Sequence, residues 1–446
     1  MSQASSVVLD YHLEPCPPPT HSPLVVFATA AERAVNQSPF TVTELPFGRA
    51  SNVSGGQFAL SANPALSANH GESHSGTVRV RAIECNRQTI LELTYDSLGR
   101  LTNAVYPDGE RVRYHWSDSA TLRVDVLSGR RMQFSLLPNG APTNASYGQN
   151  HFTYEYGEHG GLRECVFPDS QSTKLVYDRK RQILASVCGL ARSEYERDET
   201  GRVVRCSFRY RDEGFVLAPP VGSEPVKLNV VSVSLASGSV VSSHALGSWQ
   251  FGTDGRLEEM LAWNGERRCI RHDANTGSFV VWSTAGQTEF LFDSEGNLAS
   301  QLGPTGIRTV FWPVPQSSNV LAISPDQVCL YEYDSRGDLT KTRMSHGPFA
   351  LFRYDKRRSV KQVLTDDGWL KLRHDARGRL CRVTSASGLV GDLTYDALSH
   401  LSTISLRLRS PESLAQFEEF NSTIWQWTAL RDLLRLEGTP GNGALL

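Results

Sequence analysis

The sequence predicts an all-β protein built from tandem β-hairpins, and three observations predict it. A short unit of the form aromatic-Asp-x-x-Gly-(Arg/Asn/Asp)-Leu recurs, most completely as Tyr95-Asp96-Ser-Leu-Gly99-Arg100-Leu101, Phe292-Asp293-Ser-Glu-Gly296-Asn297-Leu298 and Tyr333-Asp334-Ser-Arg-Gly337-Asp338-Leu339. The copies lie on one ruler. Apolar and polar residues alternate with period two between them, as strands with one buried face require.

Partial copies extend the series: Tyr156 with Gly160, Arg197-Asp198 with Gly201, Phe251 with Gly255, His374-Asp375 with Gly378, and Tyr395-Asp396 with Leu401. Tyr177-Asp178, His272-Asp273 and Tyr354-Asp355 keep the dipeptide and alter the turn. The first positions fall at 95, 156, 177, 197, 251, 272, 292, 333, 354, 374 and 395, with gaps of 61, 21, 20, 54, 21, 20, 41, 21, 20 and 21. All but the 54 are multiples of roughly 20 residues, the mark of a repeated supersecondary unit.

Each element of the unit has a local reason. Leu91, Leu93 and Tyr95 share one strand face, Glu92, Thr94 and Asp96 the other. The aromatic closes the strand pointing inward, the Asp carboxylate accepts hydrogen bonds from the turn amides, and Gly supplies a positive φ. The opposite hairpin end is marked by Tyr106-Pro107-Asp108-Gly109 and Phe167-Pro168-Asp169-Ser170, where Pro presets φ and Asp-Gly or Asp-Ser closes the bend.

The expected organisation is a Pro/Ser-rich segment over 1–80 without a repeat, a repeat region over 81–408, and a tail over 409–446. The 54-residue gap places an insertion at about 212–248, where residues 230–243 alternate like a strand pair around Gly238. Ser410-Pro411 resembles an N-cap followed by Pro at the first helical position, and Leu414, Phe417, Trp427, Leu430 and Leu434 follow helical spacing, so the tail is expected to be helical.

Composition narrows the function. The 446 residues carry 45 basic and 47 acidic side chains, a formal charge of −2, which gives no global drive towards nucleic acid or anionic membrane. No apolar run approaches the roughly 18 residues of a membrane span, and neither membrane insertion nor a signal peptide is expected from this chain. The eight cysteines have neither C-x-x-C nor zinc spacing; up to four disulfides and buried free thiols both stay open.

No catalytic residue, metal ligand or cofactor site is expected. G-x-S-x-G, H-E-x-x-H and P-loop motifs are absent, and Asp366-Asp367 and Glu418-Glu419 are adjacent pairs rather than opposed carboxylates. His272 and His374 occupy the repeat's aromatic position as substitutes for Tyr. The triplets Arg179-Lys180-Arg181 and Lys356-Arg357-Arg358 follow Tyr-Asp in the turn and are expected to be solvated. Five of the eight tryptophans lie between 249 and 369, where inward packing is expected.

Tandem Tyr-Asp-x-x-Gly-Arg-Leu units at this spacing resemble the YD repeats of teneurins and of bacterial Rhs and Tc toxin shells, over about residues 90 to 405. The resemblance implies hairpins spiralling into a continuous sheet that closes as a large hollow barrel, of which this chain would form a part with exposed edges. The motif residues it singles out are Tyr95, Asp96, Gly99, Tyr177, Asp178, Phe292, Asp293, Gly296, Tyr333, Asp334, Gly337, Tyr354, Asp355, Asp375, Gly378, Tyr395 and Asp396. Degenerate repeats, cysteines and the sequons at Asn52, Asn144 and Asn421 look more like a teneurin ectodomain than a bacterial shell; Asn36-Gln-Ser38 is discounted because Pro39 follows. That implies an extracellular, non-catalytic scaffold of a membrane-anchored adhesion protein, binding cell-surface proteins or a second copy of itself. It implies no nucleic-acid partner, and the chain would be a fragment. A shell around a toxin or polypeptide cargo is the first alternative, weakened by the lack of an Asp-Pro dipeptide in the C-terminal part, and a carbohydrate-active β protein the second.

Overall fold

The computed structural model describes residues 78–409 apart from short connecting segments, the longest being 218–225, together with Leu9–Pro15 and Leu60–Ala62. Every regular element among these residues is a β-strand, 35 in all. Neighbours in sequence are neighbours in space almost throughout, because connections of a few residues leave each strand no partner but the one before it. The tail read as helical, the segment 16–59 and the sequons at Asn52 and Asn421 lie outside the described residues.

Two sheets result. The first has 16 strands and runs from Glu213–Leu217 back through the hairpins to Val78–Cys85, then Leu9–Pro15 and, parallel to it, Leu60–Ala62. The second begins at Val226–Asn229 and ends at Leu401–Arg407, and these two strands pair antiparallel in the register Val226↔Leu406 to Asn229↔Thr403, so this sheet closes as a barrel. Closure removes the edges of the second sheet and leaves those of the first. The 54-residue gap in the repeat ruler is where the chain passes from one sheet to the other. The strand pair read around Gly238 is Val231–Ser234 with Val240–His244, in the second sheet.

Alternation sets the faces. Along Arg111–Trp116, Val112 and Tyr114 are buried while Arg111, Arg113 and His115 are exposed; Leu122, Val124, Phe134 and Phe152 continue the buried side. Each fully buried aliphatic or aromatic side chain contributes about 1.5–3 kcal/mol. The cluster runs from Ile83 to Phe167 in the first sheet and takes in Cys269, Trp282, Leu302, Val310, Leu321 and Leu330 of the second, so the two sheets share one core.

None of the six cysteines whose side chains are described (85, 165, 188, 269, 329 and 381) is in a disulfide, and all but Cys381 are buried. Of the two options left open by the sequence, the described cysteines take the second: they pack as small apolar groups. Burial pushes the thiols of Cys85 and Cys329 up to about 11 and that of Cys269 up to about 12.

Candidate functional site: the repeat turn and the seam between the sheets

At ten of the eleven ruler positions the pairing register shifts at the repeat's first residue. Thr94 faces Asn103 but Tyr95 faces Leu101, and the same skip occurs at 156, 177, 197, 251, 292, 333, 354, 374 and 395. The extra residue is therefore a β-bulge built into the motif, which increases local twist. In some copies a threonine hydroxyl at this residue donates to the opposite carbonyl: Thr102 to Thr94 at 3.0 Å, Thr340 to Glu332 at 2.9 Å. His272 alone of the ruler positions pairs without a shift, facing Phe279.

Beyond the bulge the aspartate organises the turn. The Oδ1 of Asp334 accepts the amides of Arg336 (2.8 Å) and Asp338 (3.0 Å), that of Asp355 those of Arg357 (2.8 Å) and Ser359 (3.0 Å), and that of Asp375 those of Arg377 (2.8 Å) and Arg379 (3.0 Å). Asp96, Asp178 and Asp293 likewise accept the amide four residues on, at 2.8–2.9 Å. These amides hold the carboxyls of Asp334, Asp355 and Asp375 below the ordinary carboxylate range. The glycine position needs the left-handed region, with φ of 79° at Gly337 and 80° at Gly378; Arg358 takes the same place at 63°. Gly99, Gly296 and Asp396 lie outside the described residues.

The aromatic joins one unit to the previous one. Tyr95, Tyr177, Tyr354 and Tyr395 each donate a hydroxyl hydrogen bond to the carbonyl fifteen residues back, that of Val80, Leu162, Leu339 and Leu380, at 2.7–2.8 Å. Tyr156 reaches Pro142 at 2.8 Å. Where Arg197 replaces the aromatic, its guanidinium donates to Ile183 at 3.2 Å. Sequence reasoning placed this aromatic inward as packing and missed its polar role, which the constant spacing makes possible.

Arginines lace adjacent turns. Arg358 donates to Asp338 at 2.6 Å, twenty residues away, and Arg357 to the carbonyls of Asp375 and Ala376 in the next turn. The triplet Lys356-Arg357-Arg358 is exposed as expected, but two of its members are ties between units. Lys180 of the other triplet donates to the Glu199 carbonyl at 3.1 Å.

The opposite hairpin ends do more than bend the chain. Asp108 receives Arg308 of the second sheet through two hydrogen bonds of 3.0 and 2.5 Å, and the guanidinium lies 5.1 Å from the ring centre of Tyr106. The arrangement repeats: Asp169 receives Arg267 at 3.1 and 2.6 Å, with the guanidinium 5.1 Å from the ring centre of Phe167. Glu259 also binds Arg267, at 3.0 and 3.1 Å, and only 1% of the Arg267 side chain is exposed. Between these two latches the Tyr106, Tyr114 and Tyr147 hydroxyls donate to the carbonyls of Arg308, Gly306 and Pro304. A methyl group on Gly306 would lie 2.9 Å from Val124, so glycine permits the close approach. Sequence reasoning found Asp108 and Asp169 as turn formers and missed Arg267 and Arg308 as their partners. Their spacings were the available signal: 61 residues between the aspartates and 41 between the arginines, three and two repeats.

Asn144 is exposed on the strand Pro142–Tyr147, whose two neighbours pair with it at Ser135 and Thr153. No group of three or more potential metal ligands occurs among the described residues. No helix among them is long and apolar enough to cross a membrane.

No family model matches the chain. It is 23% identical to Teneurin-1 of Mus musculus over 155 residues, which is 34% of this chain and 6% of that protein. What they have in common is a YD/Rhs-type repeat. Among solved structures, the chain of the crystal structure of TcdB2-TccC3-TEV is 12% identical, with 70% of this chain and 19% of that one covered at a TM-score of 0.18. The TCP10 domain of Danio rerio CPAP, in complex with a STIL peptide, is 14% identical over 64% of this chain and 98% of that one at 0.12. Both scores are below that of a shared overall arrangement. The chain spans a small part of the length of Teneurin-1 and of the TcdB2-TccC3 chain.

Proposed function

We propose that this chain is a non-catalytic wall segment, part of the extracellular region of a teneurin-like membrane-anchored protein, serving cell-cell recognition through protein partners. The observation that carries the scaffold reading is the tyrosine tie: a hydroxyl to a carbonyl fifteen residues back, repeated along both sheets, rigidifies a continuous wall and assembles no reacting groups. The sequence match to Teneurin-1 and the exposed sequon at Asn144 support the extracellular placement. The test is intact mass spectrometry of the protein from its native source, before and after glycosidase and reductant. A glycan on Asn144 is the expected result, and an unmodified chain would sink the adhesion role while leaving the repeat wall untouched.

One observation favours a second reading, a shell of the Rhs or Tc type around a polypeptide cargo. Six described cysteines without a disulfide suit a reducing compartment better than the cell exterior. Under this reading Asn144 carries no glycan, and a bound polypeptide is recovered with the purified protein.

A further inference from the structure

The outward face of the first sheet carries an uneven charge that the wall itself does not use. On Arg111–Trp116 and the two strands that follow it, the guanidiniums of Arg111, Arg113, Arg123 and Arg131 stand against one carboxylate, that of Asp125, a formal +3 in a chain of −2 overall. Asp125 is already engaged by His115 at 3.2 Å, Arg123 at 3.1 Å and Arg131 at 3.0 Å. Arg113 sits directly opposite Asp125 in the register. Neither its side chain nor that of Arg111 has a partner among the described residues, and both are exposed. They line a shallow groove of about 760 Å³ with Thr94, Asn103 and Trp116; Glu92 stands at its other side, with Asp96, whose carboxylate is held by Arg100 at 2.7 Å.

We infer that this groove binds an extended acidic peptide, with carboxylates at alternate positions received by Arg111 and Arg113. The geometry favours a peptide. Two side chains two residues apart on a strand stand roughly 6.7 Å apart on one face, and an extended partner presents its own alternate side chains at the same interval. The arginine fork takes a carboxylate through two parallel hydrogen bonds, as Asp108 and Asp169 already show elsewhere in this chain. Glu92, the groove's carboxylate without an arginine on it, disfavours a ligand charged along its whole length, such as a sulfated polysaccharide, and tolerates a peptide whose acids are spaced. The inference rests on the scaffold reading only in taking this face for a protein-binding one; it does not depend on the glycan or thiol state that tests that reading.

The experiment is fluorescence anisotropy of the full chain with a labelled synthetic peptide bearing three glutamates at alternate positions, beside its glutamine counterpart. The glutamate peptide is expected to bind, at least tenfold more tightly than the glutamine one and more weakly as salt is raised. Arg111→Gln with Arg113→Gln is expected to weaken it at least tenfold, while Arg163→Gln, on the same sheet outside the cluster, leaves it unchanged. Arg111→Lys with Arg113→Lys, which keeps the charge and loses the fork, is expected to fall between. Equal binding of the two peptides, or indifference to the paired glutamine substitution in a variant with native circular dichroism, overturns the inference. So does displacement of the peptide by a sulfated oligosaccharide at a tenfold lower concentration with the same arginine dependence, which would assign the face to a glycan.

Discussion

Replacing Arg267 by methionine should destabilise the protein by about 3 kcal/mol, towards the low end of the range for breaking a buried ion pair by removing one partner. The reason is local. Arg267 is 1% exposed and neutralises two acids, Asp169 and Glu259, whose side chains are 27% and 28% exposed. Without it, two carboxylates from different sheets face each other with no cation between them, and Phe167 loses the guanidinium over its ring. Partial access to water keeps the cost from reaching the upper end of about 5 kcal/mol. Asp169→Asn should cost less, about 1–2 kcal/mol, because Arg267 keeps Glu259, and the pair of substitutions should show a coupling of about 1–3 kcal/mol. Replacing Arg267, Asp169 and Glu259 together by apolar residues of similar volume should restore most of the loss, since no charge is then left stranded. Urea unfolding gives the free energies, and hydrogen exchange locates the change, expected in Phe167–Gln171 and the strand Arg267–Asp273. An Arg267→Met variant within about 0.5 kcal/mol of the parent, or one whose exchange rises uniformly, would refute the idea that this latch joins the sheets.

Three further outcomes follow from the same geometry. Tyr354→Phe and Tyr395→Phe each remove one hydroxyl tie to the previous unit and should each lower stability by about 1 kcal/mol, with additive effects because the sites are two repeats apart, read from thermal or urea unfolding. Gly337→Ala, at a φ of 79°, should cost about 1–2 kcal/mol, whereas Gly303→Ala, outside the left-handed region, should escape that strain and meet only the Ile307 carbonyl 3.3 Å away. The seam should weaken in acid: burial alone would raise the carboxyls of Asp108 and Asp169, but the hydrogen bonds and charges of Arg308 and Arg267 outweigh it and lower both. A lowered folded value means this stabilisation is complete above the ordinary Asp value of about 3.9 and is lost as pH falls through the lower folded value; Asp108→Asn with Asp169→Asn should flatten that stretch of the stability curve, and an unchanged slope would count against it.

Much of the repeat was legible in the sequence because its causes are local. The aspartate that accepts turn amides, the glycine at positive φ and the buried leucine six residues after the aromatic are decided within a few residues, so Tyr333-Asp334 to Leu339 displays the whole device as a string of letters. Even the bulge is implicit there, as a count of residues between Tyr333 and Leu339. Other features stayed hidden for reasons of distance. The tyrosine hydroxyl bonds to a backbone carbonyl, which any residue supplies, so the motif leucines that receive it from Tyr354 and Tyr395, Leu339 and Leu380, read in the sequence as packing residues alone. Cysteine counts permit disulfides and thiols alike, and nothing in the local sequence chooses between them.

The sequence by itself determined the unit and its repetition: hairpins of two short strands, a fixed turn chemistry, and one apolar face per strand, since these follow from backbone conformation and period-two alternation. Tertiary structure decided how many sheets the units make, which one closes, and what joins them. Closure depends on Val226–Asn229 meeting Leu401–Arg407, a pairing across some 175 residues that has no local signature. The seam depends on Arg267 and Arg308 finding aspartates 98 and 200 residues away. Those contacts form only when two sheets, each specified locally, bring their hairpin ends together over a common core.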